Sequence, residues 1–163
     1  PRVKGLKAKL RRSGYARYLA NRIRDLGLDE QVCFLGSLSA EQMREQYLRA
    51  HVALNPSSIE NSSNAIGEAQ SLGVPVVASY VGGTPDQVDG LSDGLLYPFD
   101  EPYMLAYSVD QILGSDEFAL RLSEYAQESA SHRHHRVINL RALLNLYERL
   151  AKNANQKDTN GTI

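Results

Sequence analysis

The chain has 163 residues, 42% hydrophobic and 23% charged, with 18 basic against 19 acidic side chains and a net charge of -1. That length suffices for one core and most simply one domain, and the near-neutral balance excludes bulk electrostatic attraction to nucleic acid. A single cysteine, Cys33, excludes an internal disulfide and a cysteine-based metal cluster, and no apolar run approaches the roughly 20 residues that span a bilayer.

In chain order, residues 1–12 carry Arg2, Lys4, Lys7, Lys9, Arg11 and Arg12. Tyr15, Leu19, Ile23 and Leu26 then recur near the helical period, predicting one amphipathic helix that ends near Gly27. The basic cluster reads as a solvated face with its flanking segment, with attraction to an anionic surface or acidic acceptor as the alternative. Gln31-Val-Cys-Phe-Leu-Gly36 predicts a compact apolar strand, and Ser39-Ala-Glu-Gln opens a helix to about Arg49 with a capping box. His51-Val-Ala-Leu-Asn55 predicts the next strand.

The polar stretch Pro56-Ser-Ser-Ile-Glu-Asn-Ser-Ser-Asn64 leads into a helix that Gly73 ends, and Pro75-Val-Val-Ala-Ser79 reads as a buried parallel strand from its continuous apolar run. Val81-Gly-Gly-Thr-Pro-Asp86 is a turn whose paired glycines allow a close backbone approach, read equally as pocket wall or plain turn. Gly94-Leu-Leu-Tyr-Pro98 is a last strand. Helices follow at 103–113, 116–131 and 136–151, and residues 152–163 form a polar tail expected to be disordered. The expected domain is 1–151. His132-Arg-His-His-Arg136 lacks a convergent third ligand, so no metal site is expected.

Strand, polar loop, helix and strand place residues 56–64 at the carboxyl ends of a parallel sheet, where open α/β sheets bind ligands. Ser62, Ser63 or Asn64 caps the helix, and the free amides of its first turn present the positive end of the helix dipole, which suits a phosphate. Glu68 lies roughly 7.5 Å along the axis from the cap, a distance suited to sugar hydroxyls beside a bound phosphate, and Glu60 faces the crevice from the loop. On a loop and helix taken at random, two surface carboxylates and an ordinary cap would be the better reading. The flanking residues change that balance.

Glu60 and Glu68 at Glu-x7-Glu spacing, preceded by Pro56-Ser57 and followed by Gly73-Val-Pro-Val-Val-Ala-Ser79 and Val81-Gly-Gly83, resemble the donor-binding signature of retaining GT-B glycosyltransferases, the glycosyltransferase group 1 family. The resemblance spans residues 31–150. It implies an α/β fold with a Rossmann-like parallel sheet and flanking helices, an incomplete carboxyl-terminal half of a GT-B fold. The activity it implies is transfer of a sugar from a nucleotide-diphosphate sugar to a hydroxyl acceptor with retention.

Carried over by position, the resemblance makes Glu60 the catalytic residue that holds the donor sugar and Glu68 the acceptor of hydrogen bonds from the ribose. Asn61, Ser62, Ser63 and Asn64 face the diphosphate, Ser37 and Leu38 the nucleobase, and Gly82 and Gly83 the donor sugar, while Asp86 reads as a helix-terminus carboxylate. The chain departs from the family pattern where Asn-Ser-Ser-Asn replaces a Gly-aromatic-Gly run. It departs again at Gly67, where a larger apolar residue is usual; this glycine costs about 1 kcal/mol of helix propensity and is expected to admit neighbouring backbone.

The resemblance implies no cofactor and no metal, the nucleotide sugar being the donor substrate. An acceptor domain, and a strand carrying an Arg and a Lys for the diphosphate, belong to the complete architecture and have no counterpart before Val32. The chain is therefore expected to be an inactive fragment that exposes strand edges, closes its sheet unusually or self-associates. With no signal-peptide core at its start, it is expected in the cytoplasm, with peripheral association at the inner face of the membrane through the basic segment. Two alternatives stand beside this reading: a non-catalytic nucleotide- or phosphate-binding module, and a GT-B sugar-nucleotide epimerase.

Overall fold

The computed structural model describes the backbone of residues 14–159 and the side chains of residues 14–153. The basic cluster of residues 1–12 lies outside the described residues. Two compact units divide at Met43 and Arg44, inside the second helix.

In the first unit, α1 (Gly14–Asp25) ends at Gly27, whose φ of 65° takes the left-handed conformation expected of a helix stop. α2 (Ala40–Arg49) begins with the predicted capping box: the Ser39 amide donates to Gln42 Oε1 (2.9 Å) and the Gln42 amide to Ser39 Oγ (3.3 Å). The strand expected over residues 31–36 does not form. Val32, Phe34 and Leu35 are exposed and pair with no strand. An apolar run becomes a strand only where a neighbour accepts and donates along its backbone.

In the second unit, β1 (Ala53–Asn55), β2 (Val76–Ser79) and β3 (Leu95–Tyr97) form a parallel sheet in the order β1-β2-β3. β1 stops at Asn55 because Pro56 has no amide to donate. β2 lies between its two partners and is buried along its length, as its apolar run predicts. β1 is an edge strand with Leu54 50% exposed, which is the exposed edge expected of an incomplete sheet.

One face of the sheet carries α3 (Asn64–Ser71), with Ile66 and Ala69 packed among Val74, Val76, Ala78 and Val88. A second cluster joins Val77 and Tyr97 to Ile112 of α4 (Pro102–Leu113) and Leu122 of α5 (Asp116–Arg133). Burying each of these Val, Ile or Leu side chains contributes about 1.5–3 kcal/mol. Gly73, at φ 71°, ends α3 as expected.

α6 (Arg136–Thr159) corrects one expectation. Its helix continues through residues 152–159, which the polar composition had marked as disordered. Lys, Asn, Gln and Ala permit a helix once preceding turns have nucleated it. Its apolar residues Val137, Ile138, Leu140, Leu143, Leu144, Leu146, Tyr147 and Leu150 are all exposed.

Candidate functional site

The predicted loop leaves the carboxyl end of β1 and enters α3, and serines and amides shape it. Ser79 Oγ donates to the Ser57 carbonyl (2.5 Å) and Ser57 Oγ to Asn55 Oδ1 (2.7 Å), tying the loop back to the ends of β1 and β2. Ser63, nearly buried, is the N-cap residue of α3, yet its side chain makes no cap hydrogen bond. Its Oγ accepts instead from Asn55 Nδ2 at 2.7 Å.

Both backbone groups of Ser63 are engaged by one side chain. The Ser63 amide donates to Gln87 Oε1 (2.7 Å), and Gln87 Nε2 donates to the Ser63 carbonyl (3.1 Å). Gln87 follows the 3-10 turn Thr84–Asp86 and is itself buried. Its carbonyl accepts from Gln70 Nε2 (3.0 Å), and Gln70 Oε1 accepts from Arg133 Nη1 (2.9 Å), which links the α3 start to α5.

These bonds change which amides face the crevice. Of the four residues expected to face the diphosphate, Ser63 has its amide bonded to Gln87, and the Asn61 amide donates to its own neighbour's carboxylate, Glu60 Oε1, at 3.0 Å. The amides of Ser62, Asn64, Ala65 and Ile66 have no acceptor among the described residues, and α3 has no acidic side chain in its first turn. A helix start left in this state presents free amides and the positive end of the helix dipole.

Gly82 and Gly83 belong to the same constellation through their backbones. The Gly83 amide donates to the Glu60 carbonyl (3.1 Å). A Cβ at Gly82 would stand 1.9 Å from the Glu60 carbonyl oxygen, and one at Gly83 would stand 1.8 Å from that of Asn61. Only glycines let this turn lie against the 60–61 loop, and Gly82 also adopts a φ of 48°.

Glu60 is half-buried on the loop, while Asn61, Ser62, Asn64 and Glu68 are exposed. Glu68 lies on α3 beside Tyr47, whose phenol is pushed above its ordinary value by burial and then by the Glu68 carboxylate. Tyr47 Oη donates to the Ala65 carbonyl at 3.3 Å. Gly67 admits a side chain and not the backbone expected of it: its missing Cβ would meet His134 Nε2 at 2.7 Å. Asp86 is exposed. Ser37 is exposed and Leu38 half-buried, both in the first unit.

Asn55, Gln87 and Tyr47 join this constellation without belonging to any motif in the sequence. Asn55 was legible as a polar residue closing an apolar strand, and Gln87 as a polar side chain inside the turn before Val88. Among the described residues, no group of three His, Cys, Asp or Glu is placed to hold a metal ion, and no helix is long and apolar enough to cross a membrane.

Residues 3–129 match the family model described as glycosyl transferases group 1. The chain belongs to that family. It is 32% identical over 125 residues to the D-inositol 3-phosphate glycosyltransferase of Corynebacterium kroppenstedtii, a match covering 77% of this chain and 28% of that protein. The chain thus spans about a quarter of the length of that relative.

Among solved structures, the sucrose-phosphate synthase of Thermosynechococcus elongatus superposes with a TM-score of 0.77 at 27% identity, covering 87% of this chain and 36% of that one. Anabaena Alr3699/HepE in complex with UDP-glucose gives 0.75 at 26% identity, covering 82% and 37%. The parallel sheet and flanking helices are accordingly part of the carboxyl-terminal half of a GT-B glycosyltransferase.

Proposed function

We propose that the second unit is the donor-binding part of a glycosyltransferase that moves a sugar from a nucleotide-diphosphate sugar to a hydroxyl acceptor with retention of configuration. The observation that carries this reading is the start of α3, where the amides of Ser62, Asn64, Ala65 and Ile66 lack protein acceptors beside the Glu60 loop, in a chain of this family. A diphosphate bound there is stabilised by preorganised amides and the helix dipole, and the charge of the departing nucleoside diphosphate develops against them. Alr3699/HepE, whose fold the chain shares, is described in complex with UDP and UDP-glucose, which supports a nucleotide sugar as the ligand.

In this reading Glu60 orients the donor sugar, Glu68 accepts hydrogen bonds from the ribose, and Gly82 and Gly83 allow the turn to approach the sugar. The acceptor is bound outside the second unit, so the isolated chain binds nucleotide without turning it over. Glu60→Ala and Glu68→Ala in the whole transferase test the roles. Glu60→Ala should abolish transfer while keeping nucleotide affinity, and Glu68→Ala should weaken nucleotide binding. Unchanged transfer by Glu60→Ala would reject the reading, and a product still attached to the nucleotide would replace it with an epimerase.

A further inference from the structure

Among the described residues, Ser39, Ser63 and Ser115 each stand just before a helix, and they do not use their hydroxyls alike. Ser39 Oγ accepts from the Gln42 amide at 3.3 Å and Ser115 Oγ from the Phe118 amide at 3.2 Å, the ordinary cap bond. Ser63 has the same place before α3 and an extended backbone (φ -79°, ψ 115°) like that of Ser115 (φ -148°, ψ 108°). Its hydroxyl is nevertheless turned to Asn55 Nδ2 at 2.7 Å.

The cap bond and a bound anion would compete for the same donors. A serine cap satisfies the second or third amide of its helix, here Ala65 or Ile66, and these are among the amides left for the diphosphate. We propose that Asn55 is a positioning residue of the donor site, holding the Ser63 hydroxyl away from the α3 amides so that they stay open to the diphosphate. The inference rests on the donor-site reading and adds to it the device that keeps the site available.

The surroundings fit that role. Asn55 is itself oriented, since its Oδ1 accepts from Ser57 Oγ at 2.7 Å, leaving Nδ2 to reach Ser63. Gln87 grips the Ser63 amide and carbonyl, so the peptide stays in place whatever the hydroxyl does. Removing Asn55 therefore frees the hydroxyl to turn and cap without dislodging the residue that carries it.

The test is a 1H–15N NMR titration of the chain with inorganic pyrophosphate and, separately, with UDP. It follows the amides of Ala65 and Ile66 in the native chain, Asn55→Ala, Ser63→Ala and the double variant, with thermal melts of each. Asn55→Ala should weaken both ligands about fivefold, the equivalent of one serine cap, with a melting temperature unchanged or raised. Ser63→Ala should bind at least as well as the native chain. The double variant should return to within about twofold of it, because no hydroxyl remains to compete.

A double variant as weak as Asn55→Ala, or affinity and melting temperature falling together in Asn55→Ala, would overturn the inference and leave Asn55 a structural residue. Native binding indifferent to Asn55→Ala would overturn it while leaving the donor site intact. If the native chain binds neither pyrophosphate nor UDP at these amides, the donor-site reading falls and this inference with it.

Discussion

The starts of α3 and α5 are built from the same cap residue and reach opposite electrostatic states. At α5, Ser115 caps Phe118, and Asp116 and Glu117 occupy the first turn, so the positive end of the helix is neutralised from within. At α3 there is no cap bond and no first-turn acid. The α5 end is completed by its own residues, whereas the α3 end keeps amides that no protein group among the described residues accepts from.

The largest expected effect comes from disturbing the loop beside the open end. Gly83→Ala drives a Cβ into the Asn61 carbonyl and must displace the 60–61 loop. It should cost about 2 kcal/mol of stability in denaturant unfolding and weaken UDP roughly tenfold, equal to about 1.4 kcal/mol. Retained affinity would show that the loop does not shape the site.

Making α3 resemble α5 is the next test. Asn64→Asp puts an acid in the first turn and should stabilise the fold by about 0.3–1 kcal/mol while lowering UDP affinity. In the reverse direction, Ser115→Ala should cost about 1 kcal/mol with UDP binding unchanged. Denaturant unfolding beside UDP titration separates the two outcomes.

The smallest effect lies in the turn that follows Gln87. Desolvation raises the Asp89 carboxyl, but the Ser92 hydroxyl and the amides of Leu91, Ser92 and Asp93 outweigh it and hold the group well below the usual carboxylate range. A folded-state value below the unfolded one contributes stability that is present above the unfolded carboxylate range and is lost as pH falls through and below it. Asp89→Asn should flatten the acid limb of the stability profile, measured by melts between neutral and acid pH, and leave neutral-pH binding of UDP unchanged.

Much of this was readable in the residues. Val-Val-Ala-Ser after Pro75 became a strand buried on both sides, and the capping box at Ser39, the stop at Gly73 and the serine start of α3 all stand where the pattern places them. The apolar run at residues 32–35 looked like a strand too, and failed because strand formation depends on a partner that local sequence does not specify.

The loop and the helix start of the candidate site were legible in position but not in their hydrogen bonding. Spacing identifies a serine before α3, but not whether its hydroxyl turns to its own helix or to Asn55, eight residues back. Nor does it reveal that Gln87, 24 residues on, holds its backbone. Those choices are made by tertiary neighbours. The helix beyond residue 151 is hidden from composition for a related reason: polarity reports exposure, while helix continuation depends on the turns already formed.

The central claim is that the first-turn amides of α3 receive the diphosphate of a nucleotide sugar. A crystal structure of the chain with UDP tests it most directly. The account predicts phosphate oxygens about 3 Å from the amide nitrogens at the α3 start, with the ribose beside Glu68. A diphosphate seated elsewhere, with those amides turned to protein groups, would contradict it.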